Sequence, residues 1–284
     1  MKAGGRRGRL FVLGFPSLML GAFFLAPFAI MVVYSFYHRV ESGFYEPGFE
    51  LTHYRNFFSP LFTRHLLISI EFSVLAAAFS CAIALPFTFI LSRYPRRLQV
   101  AILVTVLSVL SLSEVIVAYS WSVLLSRPAG ISNLLVAIGL MDRPQSWSRG
   151  YWAVLFGLTY FNTPFAVLIM FPQCTRLERE ITEAAQTMGA SPVRTFLTVV
   201  VPMLRPTILS AFILLFVFTM GAFVTPQWLG RPEHWMFAIL IGDQALQRGN
   251  IPFAAALAMF FMVVTLALVA ITVRLGRSQE ARFR

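Results

Sequence analysis

The chain has 284 residues, 58% of them hydrophobic and only 12% charged, where a soluble domain carries about a quarter charged. That much apolar surface exceeds what one globular core hides, which excludes a soluble protein and leaves the bilayer as the solvent. The net charge of +11 does not point to nucleic acid, because the arginines stand in short clusters between long uncharged runs and not on one basic face.

Six apolar runs are long enough, at about 1.5 Å per residue, to cross about 30 Å of hydrocarbon. The first is Leu10 to Tyr34. Its apolar stretch is about twice that of a cleaved signal peptide, so it reads as an uncleaved helix. The second is Phe72 to Ser92, reaching back toward Leu66 and so including Glu71. The third, Leu98 to Ser126, is interrupted only by Glu114. Tyr151 to Thr175, Pro206 to Gly230 and Ile251 to Val273 complete the set. Backbone polar groups in lipid must satisfy one another, so the expected fold is all-α, a polytopic membrane protein of six transmembrane helices.

Basic residues orient the bundle. With both termini inside, the inner segments hold fifteen of the 23 Lys+Arg, among them Arg6, Arg7 and Arg9, Arg93, Arg96 and Arg97, and Arg274 and Arg277. This asymmetry predicts N-in/C-in. All five tryptophans then fall near outer boundaries, the depth that amphipathic rings prefer.

Cys81 and Cys174 lie in apolar runs without disulfide or metal spacing. The four histidines (His38, His53, His65, His234) scatter over outer loops. No cofactor or metal site is expected. No G-x4-G-K-[ST] loop is present, so ATP cannot act on this chain in the usual way, and no hydrolase or metalloprotease motif appears.

The connection between the fourth and fifth runs, Cys174 to Pro206, spans about 30 residues where neighbouring helices usually need 2–8. Its first half is amphipathic: Leu177, Ile181, Ala184, Ala185 and Met188 share one helical face. Gly189 stops that helix. A second helix starts with Ser191 as N-cap and Pro192 at the first helical position. It carries Val193, Phe196, Leu197 and Val200 on one side, and Pro202 and Pro206 end it. Two short helices meeting at a glycine bend read either as surface structure packed on the protein's own helix ends or as a docking knob for a soluble partner.

Glu183-Ala184-Ala185, Gly189 and the distal Pro202, within EAAQTMGASPVRTFLTVVVPMLRP, resemble the EAA signature of permease subunits of bacterial binding-protein-dependent ABC importers. Further blocks resemble the spermidine/putrescine branch of that family: AYSW at Ala118–Trp121, GISNLL from Gly130, NTPF from Asn162, FVTPQWLG at Phe223–Gly230 and IPFAAALA from Ile251. The branch usually has arginine where Val117 stands, a second glycine where Arg231 stands and glycine where Thr207 stands.

The resemblance implies a type I ABC importer permease fold, a single transmembrane domain over residues 1–284, and a multi-pass location in the bacterial inner membrane. It implies that residues 175–205 are a cytoplasmic coupling loop, with Glu183, Ala184, Ala185, Met188, Gly189, Ala190, Ser191 and Phe196 engaging an ATPase. The implied partners are two ATPase subunits, a second, similar permease in a heterodimer, a soluble substrate-binding protein and membrane lipid. The implied cargo is a polyamine or related amine-containing solute; related members import ferric ion, thiamine or phosphonate. A channel or secondary transporter is the alternative outside the family.

Ionisable groups inside a membrane are functional candidates by default, which selects Glu114 and the shallower Glu71. A carboxylate facing a cavity suits a cationic amine, but Glu114 also has Ser111, Ser113 and neighbouring helices to bond. Asn162 and Thr225 are candidate hydrogen-bonding groups. Tyr119 and Trp121 offer aromatic faces to a cation, and Phe223 adjoins Thr225.

Overall fold

The computed structural model describes residues 4–40, 45–127 and 130–282, apart from the side chains of 4–13, 15 and 275–282. Lys2 and Arg284, and the side chains of Arg6, Arg7, Arg9, Arg277 and Arg282, therefore lie outside the description. Among the described residues the chain is helical, and the one β feature is an isolated bridge between His38 and Glu46.

Four helices are each long and apolar enough to span a membrane: α1 (Gly4–Tyr34), α3 (Pro60–Ser92), α7 (Tyr151–Arg176) and α14 (Ile251–Arg282). The short α2 (Thr52–Asn56) precedes α3. Two more spans are bent pairs. In the first, α4 (Arg96–Leu110) meets α5 (Glu114–Leu124) at 91°. In the second, the segment Pro192–Met203 meets α11 (Arg205–Met220) at 72°. Six crossings result when α4–α5 is one span and α11 carries the other, with Pro192–Met203 in the connection that leads into it.

The third and fifth predicted runs are thus corrected from continuous helices to broken ones. In the third, Ser113 takes an extended conformation (φ −62°, ψ 130°) and α5 restarts with Glu114 in its first turn, where the helix dipole favours an acid. In the fifth, α11 stops at Met220 and residues 221–223 lead into the separate α12 (Val224–Leu229). Gly221 closes α11, and Pro226 stands within the first turn of α12, where its missing N–H is tolerated.

The remaining helices are α6 (Ile131–Ala137), α8 (Arg179–Thr187), α9 (Pro192–Thr195), α10 (Val201–Met203) and α13 (Phe237–Gly242). A π-helical turn, Phe196–Val200, joins α9 to α10. Pro202 does not end the second loop helix, as predicted. It lies inside α10, and the bend comes two residues later at Leu204. The wider π turn just ahead of Pro202 accommodates a residue with no N–H to donate.

The chain divides into two compact units. The first comprises residues 1–63 and 240–263. Its contents include stacked rings, with Phe36 5.2 Å from Phe49 and 5.6 Å from Tyr54. In it Glu50 accepts a hydrogen bond from His38 Nδ1 at 2.9 Å, and this bond holds the Glu50 carboxyl below its ordinary range. Asn250 Oδ1 accepts from the Phe253 amide and caps the start of α14.

The second unit comprises residues 64–239 and 264–284. Its core gathers Phe72 and Ala76 from α3, Val154, Leu155 and Leu158 from α7, Leu229 from α12, and Met236. The Gln99 amide donates to the carbonyls of Ser92 (3.1 Å) and Tyr94 (2.9 Å), which closes the open end of α3.

Candidate functional site

A cavity of about 230 Å³ opens where α5, α7 and α12 meet. Glycine makes the approach of α12 to α7 possible: a Cβ on Gly157 would lie 2.5 Å from Leu229 Cδ1 and 2.9 Å from Thr225 Cγ2. The first residue of α5 and the second of α12 face each other across the cavity. Glu114 Oε1 accepts the Thr225 hydroxyl at 2.8 Å and the Thr225 amide at 3.3 Å. A single carboxylate therefore lies in the first turn of its own helix and also caps a second one, two places where orphan N–H groups favour negative charge. Its other oxygen, Oε2, takes no hydrogen bond among the described residues.

Asn162 is buried in the same wall and donates from Nδ2 to Thr219 Oγ1 at 2.6 Å. The Thr219 hydroxyl in turn donates to the Leu215 carbonyl at 2.7 Å. Phe161, Phe218 and Phe223 supply the apolar lining. Four of the seven pathway candidates, Glu114, Asn162, Phe223 and Thr225, therefore line one cavity.

The other three do not join them. Tyr119 is exposed and packs edge-on against Trp228 at 5.6 Å. Trp121 is wedged against Phe156 and Tyr160, at 4.6 and 5.3 Å. Glu71 accepts the Tyr151 hydroxyl at 2.6 Å at the other end of α7. The sequence reading missed Thr219, which pairs Asn162, and Gly157, which admits α12. Gly157 inside an apolar run was the one visible signal, since a small residue there lets another backbone approach.

The Cys174–Pro206 loop bends where expected. α8 ends in a Schellman motif: the Gly189 amide donates to Gln186 O at 2.9 Å and the Ala190 amide to Ala185 O at 3.2 Å, with Gly189 at φ +89°. The Ser191 side chain accepts from the Arg194 amide, as an N-cap does. The predicted apolar face needs correction. Thr182 and Ala185 are buried, with Leu177 and Ile181 partly so, but Ala184 and Met188 face outward, and Met188 is 83% exposed. Met188, Val193 and Leu197 are all exposed apolar side chains of this loop, and Glu183 is exposed as well. Phe196 turns inward to Phe89 of α3 at 5.5 Å. Arg93 lies over that Phe89 ring at 4.9 Å, and its carbonyl accepts from Arg179 Nη2 at 3.2 Å. Burial, with Arg179 alongside, lowers the Arg93 pKa.

Residues 83–284 match the family described as binding-protein-dependent transport system inner membrane component. The chain belongs to that family. The matched stretch includes both the cavity and the loop, and membership makes this chain a multi-pass inner-membrane permease of a binding-protein-dependent ABC importer, a transport subunit and not an enzyme. It is 25% identical to the spermidine/putrescine transport system permease protein PotB of Escherichia coli (strain K12), over 85% of this chain and 88% of that one. It is 26% identical to PotB of Haemophilus influenzae, over 90% and 89%. In structure it resembles a chain of a bacterial ABC transporter that imports the acidic polysaccharide alginate, with a TM-score of 0.71, 21% identity and 96% of each chain covered. That likeness supports the permease fold.

Proposed function

We propose that this permease passes a polyamine or related amine-containing solute through the Glu114 cavity. The observation that carries the reading is that Glu114, with only one of its oxygens bonded, lines a cavity walled by phenylalanine and by Asn162. A protonated amine supplies the charge that such a carboxylate attracts, and aromatic rings favour it further. An anionic solute meets the wrong sign there. The PotB relatives, spermidine/putrescine transport system permeases, support the same class.

Membership of the family supports a wider assembly. We read the chain as a single domain with both termini in the cytoplasm, paired with a similar but non-identical permease and driven by two ATPase subunits. In this reading residues 175–205 are the coupling loop, and Glu183, Ala184, Met188 and Gly189 meet the ATPase. The exposed apolar side chains of Met188, Val193 and Leu197 support it, because a surface like this outside the bilayer calls for a covering partner.

The test is uptake by the reconstituted importer with its binding protein, comparing labelled spermidine, putrescine, thiamine and ferric ion, for wild type and for Glu114→Gln. Amine uptake that falls at least tenfold in the variant, with ATPase and assembly intact, supports the reading. Uptake of ferric ion alone, or amine uptake untouched by the substitution, overturns it.

A further inference from the structure

A second cavity, of about 410 Å³, lies at the Tyr151 end of α7, away from the Glu114 cavity. Its polar wall is built from two separate stretches of chain. The Gly150 amide donates to Leu229 O at 3.0 Å, which fastens the segment before α7 to the end of α12 and brings Arg149 and Arg231 to one pocket. The amides of Trp147 and Ser148 both donate to Leu125 O, at 2.9 and 3.0 Å. Pinned on both sides, Arg149 takes φ +60°, the one non-glycine residue with positive φ among those described. That conformation costs about 1–2 kcal/mol in an L residue and persists only where its surroundings over-determine it.

Arg149 forms no ion pair or hydrogen bond among the described residues, and Arg231 has only a loose pairing with Glu233 at 3.8 Å. No carboxylate lines the pocket. The apolar wall is Trp147, Trp152 and Phe156, and Trp152 is 75% exposed. Arg149 precedes the first turn of α7, and Trp152 and Phe156 follow along the helix about 6 Å apart. Charge, then an amphipathic ring, then a hydrocarbon-like ring is the order of a phospholipid read from phosphate to glycerol to acyl chain.

We propose that this pocket binds the phosphodiester of an anionic glycerophospholipid, with Arg149 and Arg231 on the phosphate and Trp152 against the glycerol and upper acyl chain. The lining carries two arginines and no carboxylate, and the nearby Glu71 and Glu233 are already engaged with Tyr151 and Arg231, so a headgroup such as that of phosphatidylglycerol is preferred over a zwitterionic one. A docked protein would not need the graded descent to Phe156. This inference is independent of the solute carried.

The delipidated importer is titrated with phosphatidylglycerol, phosphatidylethanolamine and glycerol phosphate, and retained lipid is read by native mass spectrometry. Phosphatidylglycerol is expected to bind best, with affinity falling on the order of tenfold in Arg149→Gln/Arg231→Gln and unchanged in Arg143→Gln. Trp152→Ala, which keeps both charges, should weaken the lipid but not glycerol phosphate. Melting in zwitterionic lipid checks that each variant is folded. Equal phosphatidylglycerol binding by the double variant overturns the proposal. So does competition by glycerol phosphate as strong as the lipid's own binding, which would mark a free-phosphate site. Unchanged lipid binding with weakened stimulation by the binding protein would overturn it in favour of protein docking.

Discussion

Glu114 and Thr225, on two helices and 111 residues apart, are joined twice through a single carboxylate oxygen, by the hydroxyl at 2.8 Å and the amide at 3.3 Å. Thr225→Val keeps the shape and the amide bond but removes the shorter contact. We expect a loss of about 1 kcal/mol. Combined with Glu114→Gln, the two losses should fall short of adding, by at least about 0.5 kcal/mol, because both act on one contact. Melting of the four members of the cycle in detergent checks this; because Gln keeps one acceptor oxygen, strict additivity would mean that the charge of Glu114 adds nothing to the contact.

Gly157 should tolerate nothing larger. An added Cβ meets Leu229 Cδ1 at 2.5 Å and Thr225 Cγ2 at 2.9 Å, so Gly157→Ala must move side chains, at a cost of about 1–3 kcal/mol. Gly157→Leu must displace α12 and with it the cap on Glu114. Thermal melting and amine uptake should decline together, in the order wild type, Ala, Leu.

At Gly189 no atom lies near enough to collide with a new Cβ; the obstacle is φ +89°. Gly189→Val is expected to cost about 1–2 kcal/mol locally and to misdirect the loop. Met188→Glu changes an exposed side chain and should leave melting unaltered. Both should reduce ATPase co-purification if the loop is a coupling element. A Met188→Glu complex that assembles and hydrolyses ATP like wild type would remove Met188 from the interface.

Glu50 ties one stretch of the first unit to pH. The hydrogen bond from His38 holds its folded pKa below the unfolded value, so the stabilisation is full above the ordinary carboxylate range and fades as pH falls through the folded pKa. Amide protection around residues 46–56, corrected for the intrinsic pH dependence of exchange, should hold from neutral pH down to the ordinary carboxylate range and fall below it. Glu50→Gln should exchange faster at neutral pH and lose that dependence.

Much of this was readable from the chain alone. Hydropathy located all six spans because a bilayer imposes length and charge limits that few other settings impose. Gly189 and Ser191 announced the loop bend because their roles are local. The break in the third run was not readable: Ser111–Ser113 contains neither proline nor glycine, and the apolar run continues across it. Nor was the partner of Glu114, since Thr225 arrives from 111 residues away through a fit that depends on Gly157. Periodicity placed Met188 on the apolar face of α8 but carries no information on whether that face meets this chain or another.

The break between α4 and α5 has a consequence for water. A helix that stops at Leu110 and restarts at Glu114 at 91° leaves the first amides of the restart without helical partners, while the amides of Ser111 and Leu112 take up the carbonyls of Leu107, Ser108 and Val109. The Glu114 carboxylate, beside the restart, is given to Thr225. Hydrocarbon satisfies none of those first amides. We expect the break to admit water part-way along the third crossing, so that a solute reaching it meets polar groups and not bare hydrocarbon.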